Sequence, residues 1–315
     1  MTGFLIRRVF QTIVVTLIVT IITFFLLHLV PGGEVRAILG IRASPAEIAA
    51  DSKLWGFDQP LPIQYGKWLW QLMHGNFGFD LKQSAPVSTI LAQVLPRTLV
   101  LVVIGTGVGL LIGIPLGIFQ AVRRYSVLDH LVTGISFVGY GSPTFFVGLL
   151  LVQWFAVNLH WLPAFAPQAT SIGGILSDPV ALILPVATYA FVAFAIWSRF
   201  MRSSVLDNIV QDYVRTARAK GASERRVLWL HIFRNSLITI VTLLGLTLPA
   251  VLAGAIFVEY VFNYPGMGLL FYDAALNTDI QLMLAITVLT TLVTILGNLL
   301  ADIGYAMLDP RVRYS

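Results

Sequence analysis

The sequence predicts an all-α integral membrane protein with six transmembrane helices, and three observations carry that reading. Of 315 residues, 57% are hydrophobic and 11% charged, against roughly 25% charged in an ordinary soluble domain. Six apolar stretches are long enough to cross the hydrocarbon layer as helices, which takes about twenty residues. Lysine and arginine are concentrated on alternate connections between those stretches. No soluble core of this size hides so much apolar surface, and the mean hydropathy of +0.84 agrees. Soluble enzymes, disordered chains and disulfide scaffolds are therefore excluded. Without cysteine, there is no thiolate metal ligand and no cysteine nucleophile.

The apolar stretches are 9–30, 98–122, 128–157, 180–200, 236–261 and 280–305. The first follows Arg7 and Arg8 as a secretory signal would. It is too long for one, and Pro31-Gly32-Gly33 offers no small-x-small cleavage pattern, so it reads as a retained helix. Residues 31–96 form an external region of mixed charge carrying Trp55, Trp68, Trp70 and Leu61-Pro62-Ile63-Gln64-Tyr65. It reads as a small folded element on the membrane, either an amphipathic connector or a docking surface. The expected layout is thus 1–30, then 31–96, then a five-helix core over 97–315 with an inner loop at 202–234.

In the second stretch Gly105, Gly109, Gly113 and Gly117 recur every four residues around Pro115. Such a stripe lets another helix backbone approach closely, which makes helix packing its expected role. Pro143, Pro185 and Pro249 interrupt the third, fourth and fifth stretches. A membrane helix tolerates this only where neighbours or a cavity satisfy the freed carbonyl.

Orientation follows from the basic residues. With the N-terminus inside, fourteen of the twenty lysines and arginines fall on the inner side, eight of them on or flanking 202–234. The outer connections 158–178 and 263–279 have none. This is the positive-inside asymmetry, and it puts both ends in the cytoplasm. The net charge of +5 reports topology and implies no nucleic acid.

Several chemistries are missing from the sequence. The one Gly-Lys pair, Gly66-Lys67, has Leu61 where a P-loop needs glycine, so ATP is not hydrolysed here by that route. The five histidines are scattered and form no zinc-protease motif, and no nucleophile elbow is complete. No catalytic residue and no metal ligand set is expected. Two carboxylates, Glu259 and Asp302, lie toward opposite membrane faces. They are the only basis for an alternative reading as a proton-coupled secondary transporter, since a proton relay needs carboxylates along the path.

The inner loop reads as helix, glycine, helix. Ile209, Val210, Tyr213, Val214 and Ala217 recur at helical spacing, Gly221 stands where a left-handed cap belongs, and Ser223 with Glu224 opens the next helix. The run Asp212-Tyr213-Val214-Arg215-Thr216-Ala217-Arg218-Ala219-Lys220-Gly221-Ala222-Ser223-Glu224-Arg225-Arg226-Val227 resembles the coupling loop of ATP-binding-cassette importer permeases of the dipeptide and oligopeptide type. Against the general Glu-Ala-Ala-x-x-x-Gly motif it keeps Ala217 and Gly221 and has Arg215 and Thr216 in the first two places. Gly56-Phe57-Asp58-Gln59-Pro60-Leu61, Gly75-Asn76-Phe77-Gly78, Pro96-Arg97-Thr98-Leu99, and Gly254 to Phe262 with Pro265-Gly266-Met267-Gly268 are similar to the B-type subunit of those systems. At Pro31-Gly32-Gly33-Glu34 the chain departs from the family's usual Pro-Gly-Asp-Pro.

The resemblance implies a type I importer permease in a bacterial cytoplasmic membrane. It implies a pore subunit, not an enzyme, that moves peptides. ATP and magnesium would be bound by two partner P-loop ATPase subunits, with no cofactor in this chain. It further implies a second, similar permease subunit and an external solute-binding protein, all set among membrane lipid. Tyr213, Val214 and Ala217 would then dock on the ATPase, with Arg215 in the same motif. Gly221 would set the bend, and Glu224, Arg225 and Arg226 would form the polar rim.

Overall fold

The computed structural model describes residues 2–28, 35, 39, 43–80 and 82–308, and these are overwhelmingly helical. Two compact units divide the chain, one within residues 1–98 and 265–295, the other within 99–264 and 296–315. The chain passes from the first unit to the second after Thr98, and 265–295 returns to the first.

In the first unit α1 covers Thr2–His28, α2 Pro45–Trp55 and α3 Leu61–Met73. Ser44 caps α2 in a reciprocal capping box with Glu47, and Gly56 closes it at φ +76°. A two-residue hairpin pairs β1 (Phe79–Asp80) with β2 (Ala85–Pro86). The long α4 (Val87–Val122) follows, and α12 (Met267–Leu276) and α13 (Ile280–Leu308) come late in the chain. Val87, Leu91 and Val94 of α4 pack with Met267, Ala274, Leu282, Ala285 and Ile286. Arg97 Nη1 donates to the Pro265 carbonyl at 3.0 Å, and Thr98 Oγ1 accepts from Met267 N–H at 2.8 Å. These contacts tie 265–295 to the N-terminal part. The first unit holds a cavity of about 640 Å³ lined by residues that include Phe24, Phe57, Trp68, Phe77, Lys67 and Gln281.

The second unit is built on α8, Pro179–Ile209, which Asp178 caps and Pro179 starts. Around it stand residues 99–122 of α4, α5 (Val127–Gly141), α6 (Thr144–Leu151, continuing as a π-helix to Asn158), the short α7 (Ile172–Leu176) and α11 (Arg234–Val261). The third apolar stretch is broken between α5 and α6, where the chain bends by 111°. The cause is local: Pro143 has no N–H to continue the ladder, and Ser142 before it is extended at φ −87°, ψ 135°. Pro185, by contrast, stays inside α8.

The glycine stripe of α4 faces α8. A Cβ at Gly109 would stand 2.5 Å from the Ala193 Cβ, and one at Gly117 2.5 Å from the Ser198 carbonyl oxygen. Gly105 abuts Tyr189, and Gly113 the Phe194 backbone and Trp197. Among the described residues, α4, α8 and 280–299 of α13 are long and apolar enough to cross a membrane, and α5 and α6 reach that length and hydropathy only taken together across their bend. The Pro249 and Asp302 side chains, and the turn at 31–34, lie outside the described residues.

Candidate functional site

The residues that the sequence singles out at the inner loop converge on one short segment. After two residues the chain leaves α8 and enters α9, Asp212–Ala219; α10, Glu224–Arg226, follows and runs on as a π-helix to Phe233. The turn between α9 and α10 is a Schellman closure. Gly221 N–H donates to the Arg218 carbonyl at 2.9 Å and Ala222 N–H to the Ala217 carbonyl at 3.2 Å. Gly221 takes φ +79°, and a Cβ there would meet nothing within 4 Å. Glycine is thus required by the backbone, not by crowding. Ser223 occupies the cap position of α10, but its hydroxyl makes no capping bond.

Burial divides the predicted residues into two groups. Val214 and Ala217 are buried in a cluster with Ile118 and Ala121 of α4, Met201 and Val205 of α8, and Val227 and Ile232. They anchor the segment to its own bundle, so the expectation that they form the docking face does not fit their placement. The amphipathic period was legible; which side met the bundle was not. Tyr213, Arg215, Glu224, Arg225 and Arg226 are exposed. Tyr213 donates its hydroxyl to Asn208 Oδ1, which holds the ring against the end of α8. Arg218 grips Glu224 with two bonds of 2.9 and 3.1 Å across the turn. The Asp212–Arg215 pair, at 3.5 Å and almost fully exposed, adds little. Five basic and two acidic residues lie within 212–226, so the open face is cationic. Such a face suits an acidic partner surface.

A second polar centre escaped the sequence reading. Asp129, 2% exposed, accepts from Arg202 Nε and Nη2 at 3.0 and 3.1 Å. The only sequence signal was Ser126 three residues before Asp129, which marks a helix start, while Arg202 counted only toward charge asymmetry. Glu259, fully buried on α11, lies in sequence among Val258, Phe262 and Tyr264 of an apolar cluster of the same unit. Among the described residues no cluster of ligating side chains could hold a metal ion.

Comparison with known proteins follows the same outline. Residues 113–314 match the family model for the binding-protein-dependent transport system inner membrane component, and residues 1–102 match the model for the N-terminal part of such membrane components. The oligopeptide transport system permease protein AppB of Bacillus subtilis (strain 168) is 37% identical over the full length of both chains. A Brucella suis biovar 1 protein named as a peptide permease is 38% identical over 95% of each. Among solved structures, a chain of the MetNI methionine ABC transporter in an inward-facing conformation superposes with a TM-score of 0.57. It shares 16% identity, over 70% of this chain and 96% of that one. This likeness concerns the fold.

Proposed function

We infer the activity from one premise: this chain belongs to the family of binding-protein-dependent transport system inner membrane components. It is an inner-membrane permease subunit of an ATP-driven importer, and its cargo is peptides. The observation that carries the reading is relatedness over the full length to an oligopeptide permease. The site supports it physically. A short helix, fixed to the bundle by Val214 and Ala217 and closed by Gly221, offers a cationic face on a chain whose sequence has no P-loop. Energy must then arrive from outside, and domain closure in a partner can bias a two-state bundle between outward and inward access.

In this reading Tyr213, Arg215, Glu224, Arg225 and Arg226 meet a cytoplasmic ATPase. Two such subunits bind ATP and magnesium, a second, similar permease completes the pore, and an external solute-binding protein delivers the peptide. In the same reading the six apolar stretches are six spans, and the charge asymmetry puts both ends inside. Reporter fusions after Arg124 and Arg226 are expected to read cytoplasmic and one after Lys67 external; an external signal at Arg226 would remove the coupling argument. The proton-coupled alternative draws no support from Glu259, which is packed in the bundle.

The decisive experiment is uptake of labelled peptides by vesicles carrying the complete complex. Uptake is expected to stop on ATP depletion and to survive collapse of the proton gradient. The reverse pattern would overturn the assignment.

A further inference from the structure

We propose that the Asp129–Arg202 pair is the positioning contact that makes α5 and α8 travel as one body with the α9 segment, so that its loss uncouples ATP hydrolysis from peptide movement. The inference rests on the importer reading above and adds to it a path from the coupling segment into the bundle.

The Asp129 carboxylate is saturated with donors. Besides both Arg202 nitrogens, Tyr125 N–H donates to Oδ2 at 3.0 Å, and Gln120 Nε2 and Thr133 Oγ1 approach Oδ1 at 3.4 Å. Capping α5 needs only Ser126, whose hydroxyl accepts the Asp129 N–H at 3.2 Å. The remaining donors serve something else. One comes from the inner turn itself: Tyr125 is held at φ +64°, a conformation non-glycine residues rarely adopt. The others come from α4, α5 and α8. The carboxylate therefore pins the turn after α4 and the start of α5 to α8, ten residues before α9 begins.

Two further contacts run along the same helix pair. Ser136 Oγ and Ser198 Oγ, both fully buried, lie 3.0 Å apart. A Cβ on Gly139 would stand 2.8 Å from the Ala195 Cβ. The inner end of α8 is in turn packed against α9, since Met201 and Val205 share a cluster with Val214 and Ala217. A displacement of α9 thus reaches α8 through apolar packing and α5 through the ion pair, and α5 carries it to the 111° break at Ser142–Pro143. The pair is only partly buried, with Arg202 29% exposed, and fixing geometry is a better-attested use of such ion pairs than stabilisation.

The chain has no cysteine, so a paired replacement Ser136→Cys/Ser198→Cys gives a clean, reversible cross-link between α5 and α8. The complete complex in vesicles is assayed for peptide transported per ATP hydrolysed, before and after oxidation, with and without Asp129→Asn. Asp129→Asn is expected to leave ATP hydrolysis running and to lower the ratio at least about fivefold. Oxidising the cysteine pair should leave the ratio unchanged with Asp129 present and restore most of it in Asp129→Asn. The yield and thermal stability of the assembled complex are measured alongside and should be unchanged in Asp129→Asn; a fall in them matching the fall in the ratio would mark a merely structural role and overturn the proposal. Transport lost on oxidation and regained on reduction would show that α5 and α8 slide past one another and would overturn the proposal. So would an unaltered ratio in Asp129→Asn. If Asp129→Asn fails to assemble, the cross-link with Asp129 present decides alone. Failure of the unmodified complex to import peptide under ATP would instead count against the importer reading.

Discussion

Helices α1 and α8 are both long and apolar, yet different surroundings cover them. Along α8 the residues from Ala181 to Val205 include fifteen that are buried within the chain. Along α1, Phe10, Ile13, Val15, Leu17, Ile18, Ile21, Ile22 and Leu26 are exposed, and Thr20 and Phe24 are buried. Hydropathy does not separate the two. Small residues do: α8 carries Ala181, Ala187, Ala190, Ala193, Ala195, Ser198, Ser203 and Ser204, whereas α1 has no glycine, alanine or serine after Gly3. Without a hydrophobic drive between helices in lipid, close packing depends on backbones that can approach. The lesson is that side-chain volume, not polarity, shows which membrane helix other protein surrounds.

The strongest test of that lesson lies on α4, the helix that supplies glycines to α8. Gly109→Leu is expected to eliminate folded subunit from the membrane, because even a Cβ there would stand 2.5 Å from the Ala193 Cβ and 2.9 Å from the Ala190 carbonyl oxygen. Overpacking ordinarily costs about 1–3 kcal/mol, and a clash against backbone leaves little room to relax. Gly107→Leu, two residues away with nothing within 4 Å of its Cβ position, should accumulate almost normally. Equal levels of the two variants would break the comparison.

The second test moves from crowding to backbone conformation. Gly221→Val should hold the Schellman turn in a left-handed conformation at a cost of about 1–2 kcal/mol. The subunit should still insert, since the position is open, but peptide uptake should be lost as α9 leaves its seat. Gly221→Asn, which tolerates positive φ, should retain most of the uptake. If valine and asparagine behave alike, the turn geometry is not what positions α9.

These contrasts also show what could be read in advance. The helical character of the apolar stretches, the four-residue glycine period and the cap at Gly221 were legible because each follows from a local rule of spacing or conformation. The break at Pro143 was announced by proline, though not its angle. What could not be read depends on contacts remote in sequence. Val214 and Ala217 gave an amphipathic period, but only the positions of Met201, Val205 and Val227 decide that this face turns inward. Asp129 and Arg202 are seventy-three residues apart, and no local pattern pairs them. The return of 265–295 to the first unit likewise rests on contacts remote in sequence, the apolar packing of α4 against α12 and α13 and the bond from Arg97 to the Pro265 carbonyl.

The smallest expected effect concerns that first unit and its half-buried Asp279. Asp279 sits half-buried at the start of α13, where its Oδ1 accepts Leu282 N–H at 3.1 Å. Burial raises its carboxyl above the usual range and the neighbouring Asp80 pushes the same way, against the opposing pull of the Leu282 N–H and Lys82. The folded unit therefore holds a proton at pH values where the unfolded chain has released it. Its stabilisation is full below the ordinary carboxylate pKa of about 3.9 and is lost as pH rises through the raised value. Hydrogen-exchange protection of residues 265–295 should accordingly fall between acid and neutral pH. Asp279→Asn keeps a good capping side chain and should flatten that profile, while Asp80→Asn should move the fall toward lower pH by removing one negative neighbour. A wild-type profile already flat across this range would mean that Asp279 is as solvated as an exposed carboxylate, and that the first unit is looser around α13 than its packed apolar residues imply.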